Sequence, residues 1–304
     1  MTAALTTATP DTGGPPPRSR GPGRVAWLLL TPGLAYLVLF FVAPVAVLLL
    51  TSLYERVPDG PVGATRPALR WQNYTDALVT YAPQFGRSFL YALVASVLAL
   101  AIGYPLAYVI AVRCRGKKLL QGLLLVLVIA PFFTSFILRT IAWKQILADE
   151  SVVVDVLKTV SLLPADTRLT ATPVAVVAGL TYNFLPFMTL PIYSSLERLD
   201  IRLIEAGADL YASPISTFRR VTLPLSMPGI VAGSLLTFIP AAGDYVNAAL
   251  LGTPGTSMIG NVIDSRFFRV VDYPTASALS VLLMLAILLL VGLYVRRSGT
   301  EDLL

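Results

Sequence analysis

Long apolar runs separated by shorter polar segments set the pattern of this 304-residue chain. The first run spans 25–50, where Thr31 is the only small polar side chain. At ~1.5 Å rise per residue it reaches about 39 Å, more than the ~30 Å hydrocarbon core of a bilayer requires, which predicts a first transmembrane helix over 25–52. A secretory signal has an apolar region of roughly 7–15 residues, so this run is too long to be one. Five further runs, near 84–112, 119–143, 173–196, 228–252 and 274–295, predict five more spans. The reading is an all-α membrane protein of six transmembrane helices, with both termini on one side. Residues 1–24, rich in Pro, Gly, Thr and Arg, predict a disordered tail that buries no core. Residues 84–296 are expected to form the main transmembrane domain.

Helix breakers recur inside the spans: Gly103 and Pro105, Pro131, Pro186 and Pro191, Pro240 and Gly243. A proline in lipid frees a carbonyl that must find a neighbouring helix, a hydroxyl or water. Each break therefore marks either a packing kink or a wet, protein-lined cavity. Asp244, in "PAAGDYVN", is the one clear acid well inside an expected span. A carboxylate near the bilayer centre costs ~2.5–3.5 kcal/mol on insertion scales, so it faces the bundle interior, a water-filled path or a partner, unless the helix end slants into water. Asp244 with Tyr245 offers charge and a π face to a passing cation. Tyr182 and Asn183 form a second polar pair, either on a path or bonding between helices. Arg87 and Arg139 fall near helix ends, where snorkelling to the interface is expected.

One polar stretch interrupts the second half of the chain, residues 198–227. "RLDIRLIEAGADLYASP" predicts a short helix capped by Asp200, with Leu203, Ala206 and Leu210 on one stripe. Ser213 followed by Pro214 predicts the start of a second helix, since proline suits the first helical turn, and Leu223 and Pro224 limit it. Two short helices meet at a corner, with Leu210 and Phe218 expected to hold their angle. Loops joining bundle helices are usually short, so some thirty residues of structured, partly acidic loop look built for a partner rather than for the membrane surface.

Composition agrees: 56% of residues are hydrophobic, 13% are charged and the mean hydropathy is +0.74. Charge adds orientation. Segments 1–24, 113–118, 198–227 and 296–304 hold 13 Lys and Arg against 6 Asp and Glu, whereas 53–83, 144–171 and 253–273 hold 8 against 9. Basic loops face the cytoplasm, so the first set, with both termini, is expected there, and the basic balance reflects topology rather than nucleic acid. The chain has no histidine and one cysteine, Cys114, which removes the usual general base, the commonest metal ligand and any internal disulfide. No G-x-x-x-x-G-K-[ST] phosphate loop is present; "RGKK" at 115–118 lacks the upstream glycine. A serine protease would need one of four lysines as its base, and all four lie outside the spans or at their edges. A self-contained channel leaves the structured loop unexplained. No metal, cofactor or catalytic residue is expected.

The loop's Glu205, Ala206, Gly207, Asp209, Leu210, Phe218, Leu223 and Pro224 resemble the EAA motif of binding-protein-dependent ABC importer permeases. Gly207 stands where that pattern has its second alanine, and Tyr211 where it has its glycine. "LLTFIPAAGDYVNAALLG", "MIGNVIDSRFF" and "DYPTASALS" are similar to the spermidine/putrescine branch of the family. The resemblance implies a type I importer permease fold with cytoplasmic coupling helices in a bacterial inner membrane. It implies that 198–227 docks on a dimer of ATPase subunits, with Glu205 as a contact. It further implies a second, similar permease as heterodimer partner, an extracytoplasmic solute-binding protein, and a small cationic solute such as a polyamine.

Overall fold

The computed structural model describes residues 24–160, 164 and 167–298. The disordered tail expected over 1–24 therefore lies outside the described residues except for Arg24, as does 299–304. Two compact units divide the chain, Met1–Val47 and Leu48–Leu304. Most of the first helix, α1 (Trp27–Thr51), belongs to the first; it carries Pro32 and a π-helical turn over Val38–Val42.

The second unit opens with strands β1 (Tyr54–Arg56) and β2 (Thr65–Pro67), paired antiparallel with Glu55 opposite Arg66. They are the only strands among the described residues. Asn73 ties the hairpin down, donating through Nδ2 to Ser52 O and Tyr54 O at 2.8 Å each. Helix α2 (Gln72–Arg113) then starts twelve residues before the expected span. Its Ala92, Ala95, Ala99, Gly103 and Ala107 are buried at spacings of three and four, a strip of small side chains. Where lipid supplies no hydrophobic drive between helices, such strips let backbones approach.

Helix α6 (Pro173–Glu197) packs on that strip, and α9 (Met227–Ala242) packs against both α6 and α2. A Cβ on Gly229 would meet Pro191 O at 2.6 Å, and one on Gly233 would meet Met188 O at 2.8 Å, so the α6 and α9 backbones touch there. Ala95, Leu180, Phe184 and Ala241 form the core at one end of these three helices, and Ala99, Tyr104, Met188 and Ile192 at the other. Helix α12 (Tyr273–Ser298) flanks α2, with Leu279 buried beside Phe85.

Among the described residues four helices are long and apolar enough to cross a membrane: Trp27–Thr51, Gln72–Arg113, Pro173–Glu197 and Tyr273–Arg296. Two bent pairs raise this to as many as six. The third expected span is not straight. It comprises α3 (Lys118–Phe133) and α4 (Phe136–Ile146), bent by 100°. Pro131 removes an amide donor near the bend, and Thr134 and Ser135 are extended. Helix α5 (Val152–Thr159), capped by Ser151, follows on the way to α6. The fifth expected span is interrupted too: α9 stops at Ala242, and α10 (Val246–Leu251) resumes after Gly243–Tyr245. Helix α11 (Ile259–Asp264) clamps this interruption, since a Cβ on Gly260 would lie 2.5 Å from Gly243 O, and Asn261 Nδ2 donates to Tyr245 O at 2.7 Å.

Candidate functional site

Two places gather the residues singled out in the sequence. The first is the loop corner. Helix α7 (Ile201–Asp209) begins beside Asp200, whose Oδ1 accepts from Arg202 N at 3.0 Å. Helix α8 (Pro214–Leu225) begins at Ser213, whose Oγ accepts from Ser216 N at 3.3 Å, with Pro214 in its first turn. Both local expectations hold. Between them Tyr211 has φ +57°, the left-handed conformation for which glycine is the natural residue. The corner turns in spite of the tyrosine. Gly207 has a reason in packing: a Cβ there would meet Thr217 Oγ1 at 2.9 Å and Cγ2 at 3.0 Å. The missing methyl lets α8 close on α7.

Glu205, Ala206, Asp209, Leu210 and Pro224 are exposed, and Leu223 is half-buried. Leu210, 80% exposed, does not hold the two helices at their angle. Phe218 does its packing elsewhere, edge-on to Tyr104 at 5.5 Å and to Tyr108 at 6.5 Å on α2. That tie continues through Tyr104 Oη and Ser226 Oγ, 2.9 Å apart at the junction where α8 bends by 65° into α9. Arg115 adds a clasp from the α2–α3 turn, donating to Leu199 O at 2.8 Å and Glu197 O at 3.3 Å. The corner is thus bonded to α2 and runs directly into α9.

The second place is a buried polar cluster among α4, α6 and α10. Asn183 Nδ2 donates to Thr140 Oγ1 and to Asn247 Oδ1, each at 3.0 Å. Asp244 is 8% exposed, and its Oδ1 accepts from Asn247 N at 2.8 Å, capping α10. Asp244 therefore lies in the non-helical break rather than inside a helix, and Asn247 links it to Asn183. Tyr182 sits alongside, edge-on to Trp143 at 5.4 Å, whereas Tyr245 is half exposed and stands apart from the cluster. Thr140 and Asn247 were not singled out in the sequence. Asn247 sits three residues past Asp244, the spacing of a helix cap, and this was the available signal; Thr140 had none. Arg139 does not snorkel: it is buried over the rings of Phe132 and Phe136. Among the described residues no group of His, Cys, Asp and Glu could hold a metal ion.

Helices long and apolar enough to cross a membrane, broken at glycine and proline and with a helical corner joined to one of them, define the architecture of a polytopic membrane protein. Residues 99–298 match the family described as the binding-protein-dependent transport system inner membrane component, and the chain belongs to it. Its sequence is 37% identical over 265 residues to the spermidine/putrescine transport system permease protein PotB of Haemophilus influenzae, covering 87% of this chain and 91% of that one. PotB of Escherichia coli is 36% identical over 264 residues, covering 86% and 94%. PotC of Escherichia coli matches over a shorter stretch, 34% over 107 residues, covering 35% and 40%. In solved structures the fold matches a bacterial ABC transporter involved in the import of alginate, with TM-score 0.67 at 18% identity over 90% of this chain and 94% of that one. It also matches the MetNI methionine ABC transporter, with TM-score 0.55 at 18% identity over 71% and 94%.

Proposed function

We propose that this chain is the permease subunit of an importer that carries a polyamine, spermidine or putrescine, into the cell. The observation that carries the reading is the match, over about nine-tenths of their length, to permeases named for those solutes. The chain works with a dimer of ATPase subunits, a second permease and an extracytoplasmic solute-binding protein. It has no phosphate loop of its own, so the energy comes from the ATPase. The charge count supports a cytoplasmic side for both termini and 198–227. There the α7–α8 corner offers Glu205 and Asp209 beside exposed Leu203, Leu210 and Tyr211, an acidic and apolar surface suited to a cleft on the ATPase. Ala206, Gly207, Leu223 and Pro224 shape the corner, and Phe218 transmits its movement to α2. Asp244, Asn183 and Tyr182 line the path, with Tyr245 at its edge.

The test is reconstitution of the four components in vesicles, with solute-stimulated ATP hydrolysis and uptake of putrescine and spermidine as readouts. Glu205→Lys is expected to assemble in the membrane yet lose most of both activities, at least tenfold. Undiminished uptake by that variant refutes the coupling role, and no polyamine uptake by the wild type refutes the solute.

A further inference from the structure

The bent third span leaves one charge without a counterpart. Arg139 is 8% exposed, and its Nε and Nη1 have no hydrogen-bond partner among the described residues. A buried guanidinium with no in-plane acceptor is expensive to keep, and in a membrane segment such a group marks function. What it has instead is ring faces: its Cζ lies 5.7 Å from the centroid of Phe132 and 5.5 Å from that of Phe136.

These rings belong to a larger surface. Phe136, Arg139 and Trp143 follow at spacings of three and four along α4, and Phe132 joins them across the bend. Each aromatic side chain meets one from α6: Phe132 and Phe187 at 4.9 Å, Phe136 and Phe184 at 5.9 Å, Trp143 and Tyr182 at 5.4 Å. A seam of six rings therefore runs between the bent span and α6, with one cation set into it. Ring faces attract any cation, and ammonium groups joined by methylenes suit such a seam, the nitrogens on faces and the carbons against edges. The adjoining cluster has spare capacity for an ammonium, since Asn183 Oδ1 is buried without a donor.

We infer that this seam is the passage for a linear polyammonium solute, and that Arg139 is a resident cation that fills it when no solute is present. Like charge on the guanidinium keeps solute out until α4 turns at Thr134–Ser135 and carries Arg139 aside. This inference rests on the polyamine reading above and assigns that reading a place and a closing element.

The experiment uses the complete four-component transporter in vesicles loaded with radiolabelled putrescine or sorbitol, without ATP. The wild type should hold both. R139Q should leak putrescine at least tenfold faster while remaining tight to sorbitol, and R139K, which keeps the charge, should stay closed. R139Q as tight as the wild type overturns the inference, and so does equal leakage of both solutes, which would make Arg139 a mere packing support. F136L provides a second reading if R139Q does not assemble. It removes one ring and is expected to raise the KM for putrescine several-fold with kcat retained; an unchanged KM overturns the inference. ATP-driven putrescine uptake by the wild type is the control, and its absence refutes the solute itself, whereas uptake alongside a tight R139Q refutes only the role of Arg139.

Discussion

Tyr211, 99% exposed and at φ +57°, is the strained residue of the corner. A side chain in the left-handed region costs roughly 1–2 kcal/mol per residue, and glycine escapes that cost while losing more backbone entropy on folding. Tyr211→Gly is therefore expected to stabilise the corner by about 0.5–1 kcal/mol, and a β-branched Tyr211→Val to loosen it. Amide hydrogen exchange over 201–225 checks this, slower in the first variant and faster in the second. The sequence showed this position as a departure from a familiar pattern, and the caps at Asp200 and Ser213 were legible because capping is a local matter of one side chain and the next turn. The role of Leu210 was not legible. Its stripe on α7 is apolar, yet which stripe is covered depends on where α8 and α2 lie, and Phe218 turned to α2 instead.

At the scale of elements, apolar length revealed the spans, and breakers marked where they bend. The size of the bend did not follow. Pro131 signals an interrupted helix, but the 100° turn is set by α4 packing its aromatic face on α6, a long-range arrangement. The β1–β2 hairpin escaped notice because strands of three residues show no readable alternation. It is held by charge. Arg66 donates from Nε and Nη2 to Glu55 Oε2 at 3.1 and 2.8 Å, and Arg70 Nη1 lies 3.5 Å from Oε1. The hydrogen bond and charge of Arg66, more than the charge of Arg70, hold the Glu55 carboxyl below its usual value of 4.5. A lowered folded-state value means that the contribution is complete above the unfolded value and is lost as pH falls through the folded one. Hydrogen exchange over 54–67 is expected to report an unchanged hairpin at neutral and weakly acidic pH, and one that loosens as the pH falls below the usual carboxylate range. Glu55→Gln should show the loosened rates at every pH.

At the scale of the whole molecule, the proposed orientation rests on charge: +7 on one set of loops against −1 on the other. A cysteine at position 202, placed after Cys114 is replaced, should react with an impermeant thiol reagent only in permeabilised cells. Labelling from outside intact cells would reverse the proposed orientation. The general plan was legible because crossing a bilayer imposes length and apolarity on every span. The polar cluster was legible only in part: Asp244 and Asn183 stand out as polar groups in greasy runs, but their meeting through Asn247 depends on α6 and α10 coming together far along the chain. The contact between α6 and α9 has a mechanical meaning. Where Gly229 and Gly233 put backbone against backbone, few flexible side chains remain to absorb a shear, so the pair behaves as a rigid spar. Helix α9 is 16 residues, or ~24 Å, long, so a tilt of about 10° imposed at the corner sweeps its far end through ~4 Å. That end is Ala242, two residues from Asp244, and a stroke of that size exceeds the reach of any hydrogen bond in the cluster beside it.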